Sequence, residues 1–138
     1  KWWKRAEVVR QRMMLAASEA EQLAEVNRRE VEMRLNDLKT QEGTMAKEDY
    51  ILARINIKAI TIDFEVIGEA NGHTDDLQQI DGIDEGLERR LNTLGISTLS
   101  QISKMDDDMS DTVNDAIEYM PGRIRRQLWA EQAQILLE

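Results

Sequence analysis

Around Gly82 the chain reads Ile80-Asp81-Gly82-Ile83-Asp84-Glu85-Gly86, and further on Leu94-Gly95-Ile96. A glycine in a tight turn exposes backbone N–H groups that no side chain screens, and converging N–H groups hold phosphate oxygens. The chemistry on offer is a grip on a nucleic-acid backbone. The neighbours oppose it: Asp81, Asp84 and Glu85 set carboxylates where the phosphate would sit. Gly82, Ile83 and Asp84 are nevertheless the candidate hairpin residues. Two other groups invite a function. Arg123, Arg125 and Arg126 cluster beside Trp129 and could meet a phosphate or a partner. The alternative keeps them inside the module, with the arginines facing Asp106–Asp108 and Asp111 and Trp129 as the main core aromatic. At the other end, Lys1-Trp2-Trp3-Lys4-Arg5 has the composition of a membrane interface or of a partner-docking tip, and Trp2, Trp3, Lys4 and Arg5 are the candidate contacts.

Catalytic material is scarce. There is no Cys, so no thiolate site can be assembled, and with His73 the sole His a histidine-rich metal site or a Ser-His triad has almost no material. The Asp106-Asp107-Asp108 run lacks the ligand spacing and later Glu of a calcium loop, and no metal or cofactor is expected. Charge is uneven: residues 73–138 carry 14 acidic against 6 basic residues, whereas residues 1–72 carry 13 against 12. An acidic module disfavours nucleic acid, whose affinity is dominated by cations. The chain begins at Lys, and an upstream transmembrane segment would account for the Trp and Lys/Arg flank.

The elements that must position these residues read as helical. Residues 2–42 hold no Pro or Gly, and Val9, Met13, Ala16, Ala20 and Leu23 recur at alternating spacings of 4 and 3. The stripe slips near Val26–Glu30 and resumes at Val31, Leu35 and Leu38. So narrow a stripe must cover another surface or pair in a coiled coil. Gly43 offers a break and Thr44 a cap for a helix from Met45. Residues 45–70 admit two readings. Leu52, Ile55, Ala59, Ile62 and Val66 fit a helical spacing, while Ile60, Ile62, Phe64 and Val66 alternate as in a strand. Helix is preferred, because a lone strand finds no partner in the chain. Gly68, Asn71 and Gly72 then read as a linker. In the module, Thr74 caps a first helix, Glu85 to Leu94 forms a second that Gly95 stops, and Ser97 or Thr98 caps a third burying Leu99 and Ile102. Asp111 to Tyr119 forms a fourth. A last helix from Ile124 buries Leu128, Trp129, Ala133 and Leu136.

Apolar residue, glycine turn, amphipathic helix and second glycine make a helix-hairpin-helix. Together with Asp75-Asp76-Leu77, Gln101-Ile102, and the closing Gly122-Arg123-Ile124, Arg126, Trp129, Gln132-Ala133 and Leu136, residues 75–138 resemble a known small domain. It is the C-terminal helix-hairpin-helix of extended bacterial NADH dehydrogenase E-type subunits and of ribosomal L21-like proteins. The resemblance implies a docking appendage without catalysis. The family's hairpin reads Gly-Ile-Gly-Pro; here Asp84 replaces its second Gly and Glu85 its Pro.

The expectation is therefore an all-α chain: an amphipathic helical arm (residues 1–43), an Ile-rich segment and linker (44–72) that is helix or strand, and a helix-hairpin-helix domain (73–138). In function it is a structural or anchoring subunit, not an enzyme, of a larger membrane-associated protein assembly. It docks through arm and acidic module, in the cytoplasm at the cytoplasmic face of a membrane. The alternative is nucleic-acid binding through the hairpin.

Overall fold

The computed structural model describes residues 2–138, with side chains from Lys4 onward. The described chain is all-α: eight α-helices and two 3-10 turns, without a strand. Helix α1 runs unbroken over Trp2–Lys39. The phase slip of its apolar stripe does not interrupt it, because Glu25 pairs with Arg28 and Arg29, and Glu30 with Arg34, across successive turns. Among the described side chains, only those of its C-terminal part pack. Val31 is buried and Leu35 and Leu38 half-buried, while residues 4–24 are exposed throughout.

The Ile-rich segment resolves as helix. Helix α2, Lys47–Lys58, carries Glu48 and Asp49 in its first turn and Lys58 in its last, which complements its dipole. Thr44 does not cap it; the Thr44 hydroxyl donates instead to Gln41 O, and Ala46 stands at the N-cap without a side-chain bond. A 3-10 turn, Ala59–Thr61, and a single helical turn α3, Phe64–Ile67, follow. The expected stripe holds at Ile55 and Ile62, which are buried, but Val66 is exposed. The stretch from Gly68 to Gly72 is tied down, with Gly68 O accepting from the buried Gln101 Nε2. Ile55, Ile62 and Ile67 join one apolar core with Leu77, Leu91 and Trp129. β-branched residues that would suit a strand are drawn into helix and turn by that core.

The rest of the chain wraps this core. A 3-10 turn, Leu77–Gln79, opens it, capped by Asp76 rather than Thr74, so the first expected helix is one short turn. Helix α4 spans Glu85–Leu94 and ends at Gly95 in the left-handed region. Helix α5, Leu99–Ser103, begins with a reciprocal capping box between Thr98 and Gln101. Helix α6 spans Asp107–Ala116 and starts four residues before the expected Asp111, because Asp106 caps it by accepting from Met109 N. The last expected helix is two: α7, Arg123–Arg126, and α8, Trp129–Leu136. Leu128 sits between them at φ 57°, exposed rather than buried. Leu136 is also exposed, while Trp129 and Ala133 are buried as expected. α8 packs on α5, α4 on α2, and α7 on α6.

Candidate interaction surfaces

The hairpin is held from behind by the C-terminal segment. Asp81 N donates to Gln132 Oε1 at 2.8 Å, and Gln132 Nε2 returns a bond to Asp81 O at 3.1 Å. Ile83 is buried. Gly82 adopts φ 108°, and a Cβ there would lie 2.2 Å from Gln127 Oε1 and 3.0 Å from Trp129 Nε1. The glycine is thus needed for both its backbone angle and the closeness of the α7–α8 junction. That junction is itself pinned: Gln127 Oε1 accepts from Trp129 Nε1 at 2.9 Å and from the Tyr119 hydroxyl at 3.2 Å. Asp84 is the N-cap of α4 and accepts from Leu87 N at 2.8 Å. A carboxylate that looked misplaced in a phosphate loop therefore satisfies a helix terminus.

The C-terminal arginines are spent largely on their own module. Arg125 bridges to Asp107 at 3.2 Å and to Asp111 at 3.3 Å. Arg126 donates to Pro121 O, and the Arg123 guanidinium lies 6.0 Å from the centre of the Tyr119 ring. Asp106 caps α6, and among the described residues no three His, Cys, Asp or Glu side chains gather to hold a metal ion.

The chain pattern gave no sign of one long-range, half-buried ion-pair cluster. Glu118, at φ 58° after α6, receives Arg54 Nη2 at 2.6 Å, Arg54 Nε at 3.0 Å and Lys58 Nζ at 3.2 Å. Burial disfavours the Glu118 carboxylate, but the Arg54 hydrogen bond and the Lys58 charge outweigh it and hold its pKa below the ordinary value. Arg54 is raised in turn, chiefly by the hydrogen bond to Glu118. Arg54 and Lys58 stand 64 and 60 positions from Glu118, so no local spacing could reveal them. The bridge fastens α2 to the loop after α6.

The arm's apolar stripe has no such occupation among the described residues. Val9, Met13 and Leu23 are 54%, 67% and 61% exposed. Arg5 lies in the same exposed stretch, as does Lys4, while the side chains of Trp2 and Trp3 fall outside the described residues. The structure thus joins the hairpin to α7 and α8 and leaves the N-terminal candidates at a separate end of the sequence. Where α1 leaves the module, Leu23 and Ala24 face Ile60 and Phe64 across an open groove of about 670 Å³, with Asp63 and Glu65 on its rim. No helix among the described residues is long and apolar enough to cross a membrane.

Comparison with known proteins meets this geometry in the C-terminal half. Residues 77–137 match the model of the RS2/RL21/YNQ2 HHH domain. The large ribosomal subunit protein bL21 of Hyphomonas neptunium is 35% identical over 65 residues, covering 47% of this chain and 31% of that protein. The chain thus spans about a third of the length of this relative. No solved structure shows a significant match. Residues 77–137 are a helix-hairpin-helix domain that resembles those of L21-like proteins.

Proposed function

We propose that the protein is a non-catalytic structural component of a larger cytoplasmic protein assembly. α1 is its docking arm and the helix-hairpin-helix module a rigid acidic appendage. The observation that carries this reading is the exposure of the Val9, Met13 and Leu23 stripe on the part of α1 that no described residue covers. Similarity to a protein of the large ribosomal subunit supports a structural role within an assembly. The hairpin is not the grip in this reading. Gly82 backs onto Gln127 and Trp129, Asp84 is engaged as a cap, and residues 73–138 carry a net charge of −8. The tip, Trp2, Trp3, Lys4 and Arg5, extends the arm's contact to a partner or to an anionic membrane surface.

The test is purification of the full chain from its source in mild detergent, with and without nuclease, followed by mass spectrometry. Protein partners that survive nuclease and are lost when Val9, Met13 and Leu23 become Gln are the expected result. Partners that vanish with nuclease and ignore the stripe would instead assign the hairpin to nucleic acid and overturn the reading.

A further inference from the structure

We infer that the exposed half of α1 pairs antiparallel with the same helix of a second copy of this chain. The inference rests on the docking role given to α1 above and names its occupant. An antiparallel register pairing Met13 with Ala16 of the second copy also sets Val9 against Ala20 and Ala6 against Leu23. Each layer then joins a large residue to a small one, the arrangement that lets facing helices interdigitate without voids. A parallel pair would stack Ala16 on Ala16 and Ala20 on Ala20, leaving gaps, and would bring Arg5 beside Arg10.

Charge points the same way. Arg12 has only Val8, Val9, Leu15 and Ala16 at the positions a helix brings within reach, and Glu19 has Leu15, Ala16, Gln22 and Leu23. Neither makes an ion pair among the described residues, where the short-range pairs of α1 involve other residues. The antiparallel register places Arg12 of each copy beside Glu19 of the other, twice over. It also lays the basic stretch of Arg5, Arg10 and Arg12 along the acidic stretch of Glu19, Glu21 and Glu25. The pairing ends at the groove between Leu23, Ala24, Ile60 and Phe64, whose rim carries Asp63 and Glu65. The second copy's basic N-terminal tip arrives there, so the groove and the tip complement each other in charge.

The experiment uses the full chain and sedimentation equilibrium across a concentration series. The wild type dimerises. Arg12→Glu and Glu19→Arg each weaken the dimer about tenfold or more, since two attractions become two repulsions. Mixing these variants restores pairing, because each supplies the other's missing opposite charge on both sides. Both positions are solvent-exposed on one helix, so folding survives the changes. Since the chain contains no Cys, a second readout is clean: Val9→Cys mixed with Ala20→Cys forms a mixed disulfide under mild oxidation, whereas Val9→Cys alone does not. Efficient self-crosslinking of Val9→Cys, or a dimer indifferent to Arg12→Glu, overturns the register. A chain monomeric at every concentration overturns the pairing itself. If that monomer still captures partners through the stripe, the docking role stands without the second copy. A dimer that captures nothing else leaves this inference standing and removes the wider assembly.

Discussion

The hairpin and the arm are opposites in how they use residues that look functional. At the hairpin, each suggestive group has a task within the fold. Gly82 admits Gln127 and Trp129, Asp84 caps α4, Gln132 ties down Asp81, and Arg125 answers Asp107 and Asp111. On the arm, the residues look ordinary, yet the fold leaves them unused: among the described residues, the apolar stripe has no cover and Arg12 and Glu19 have no ion-pair partner. Binding capacity is better sought where the fold's own requirements stop than where a motif's residue types are most familiar. Glycines and acids are what a compact hairpin needs for its own turns and caps. A solvated valine or methionine stripe meets no such need.

The comparison breaks hardest if the hairpin's support is dispensable. Trp129 is fully buried, stacks at 5.7 Å from Tyr119 and donates to Gln127. Trp129→Ala is expected to cost about 3–5 kcal/mol, through the cavity and the lost hydrogen bond to Gln127. Urea unfolding measures it. A loss well under 1 kcal/mol would mean that the module is not organised around this ring.

Next in size is the glycine itself. Gly82→Ala forces a Cβ into Gln127 at positive φ, and about 1–3 kcal/mol of destabilisation should follow. Gly95→Ala is its control away from the hairpin: φ is 107° and the Cβ would meet Phe64 Cζ at 2.7 Å. If both variants lose stability alike, Gly82 serves packing. If Gly82→Ala leaves the melting transition in place but abolishes binding of a nucleic acid at low salt, the hairpin works as a grip after all.

Parts of this arrangement are legible in the sequence because their causes are local. α4 lies where Glu85 to Leu94 reads as amphipathic, with its stop at Gly95, and Thr98 caps α5 through a partner three residues away. The burial of Trp129 follows from its size in so small a domain. The start of α6 is harder to read, since any of three consecutive aspartates can cap and the apolar spacing begins only later. Leu128 carries no mark of the left-handed turn that splits α7 from α8. For the Ile-rich segment the two periodicities are both present in the residues. The choice belongs to the core, where Ile55, Ile62 and Ile67 meet side chains from far along the chain. Of the candidate surfaces, the arm's stripe is fully visible in its spacing, but that it stays bare while Val31 is buried is a tertiary fact.

A smaller effect separates the two regions by pH. The Glu118 carboxyl titrates below its ordinary value of 4.5 in the folded chain. Its contribution is therefore complete above that value and lost as pH falls through the lower folded one. The bridge to Arg54 and Lys58 is part-solvated, with about three-quarters of the Glu118 side chain covered, so Glu118→Gln should cost about 1 kcal/mol at neutral pH. The variant should also lose part of the wild type's acid sensitivity as pH falls below the ordinary value of 4.5. Parallel stability curves for the two proteins in that range would show that the Glu118 bridge does not help to hold α2 to the module.

Smallest of all should be the effect on stability of changing the arm. Val9→Gln, Met13→Gln and Leu23→Gln each remove side chains that touch little, and glutamine is a good helix former. Each should shift the unfolding free energy of the monomeric chain by no more than about 0.5 kcal/mol. Association is where they should act, since the same side chains become buried in a paired or docked arm. Stability and association are thereby uncoupled at the arm, whereas at Gly82 and Trp129 any loss of binding arrives with a loss of fold. If the glutamine variants unfold more readily even at dilutions where the wild type is monomeric, then the stripe is covered by the chain itself in solution. The arm would then share the hairpin's logic, and the contrast between the two regions would dissolve.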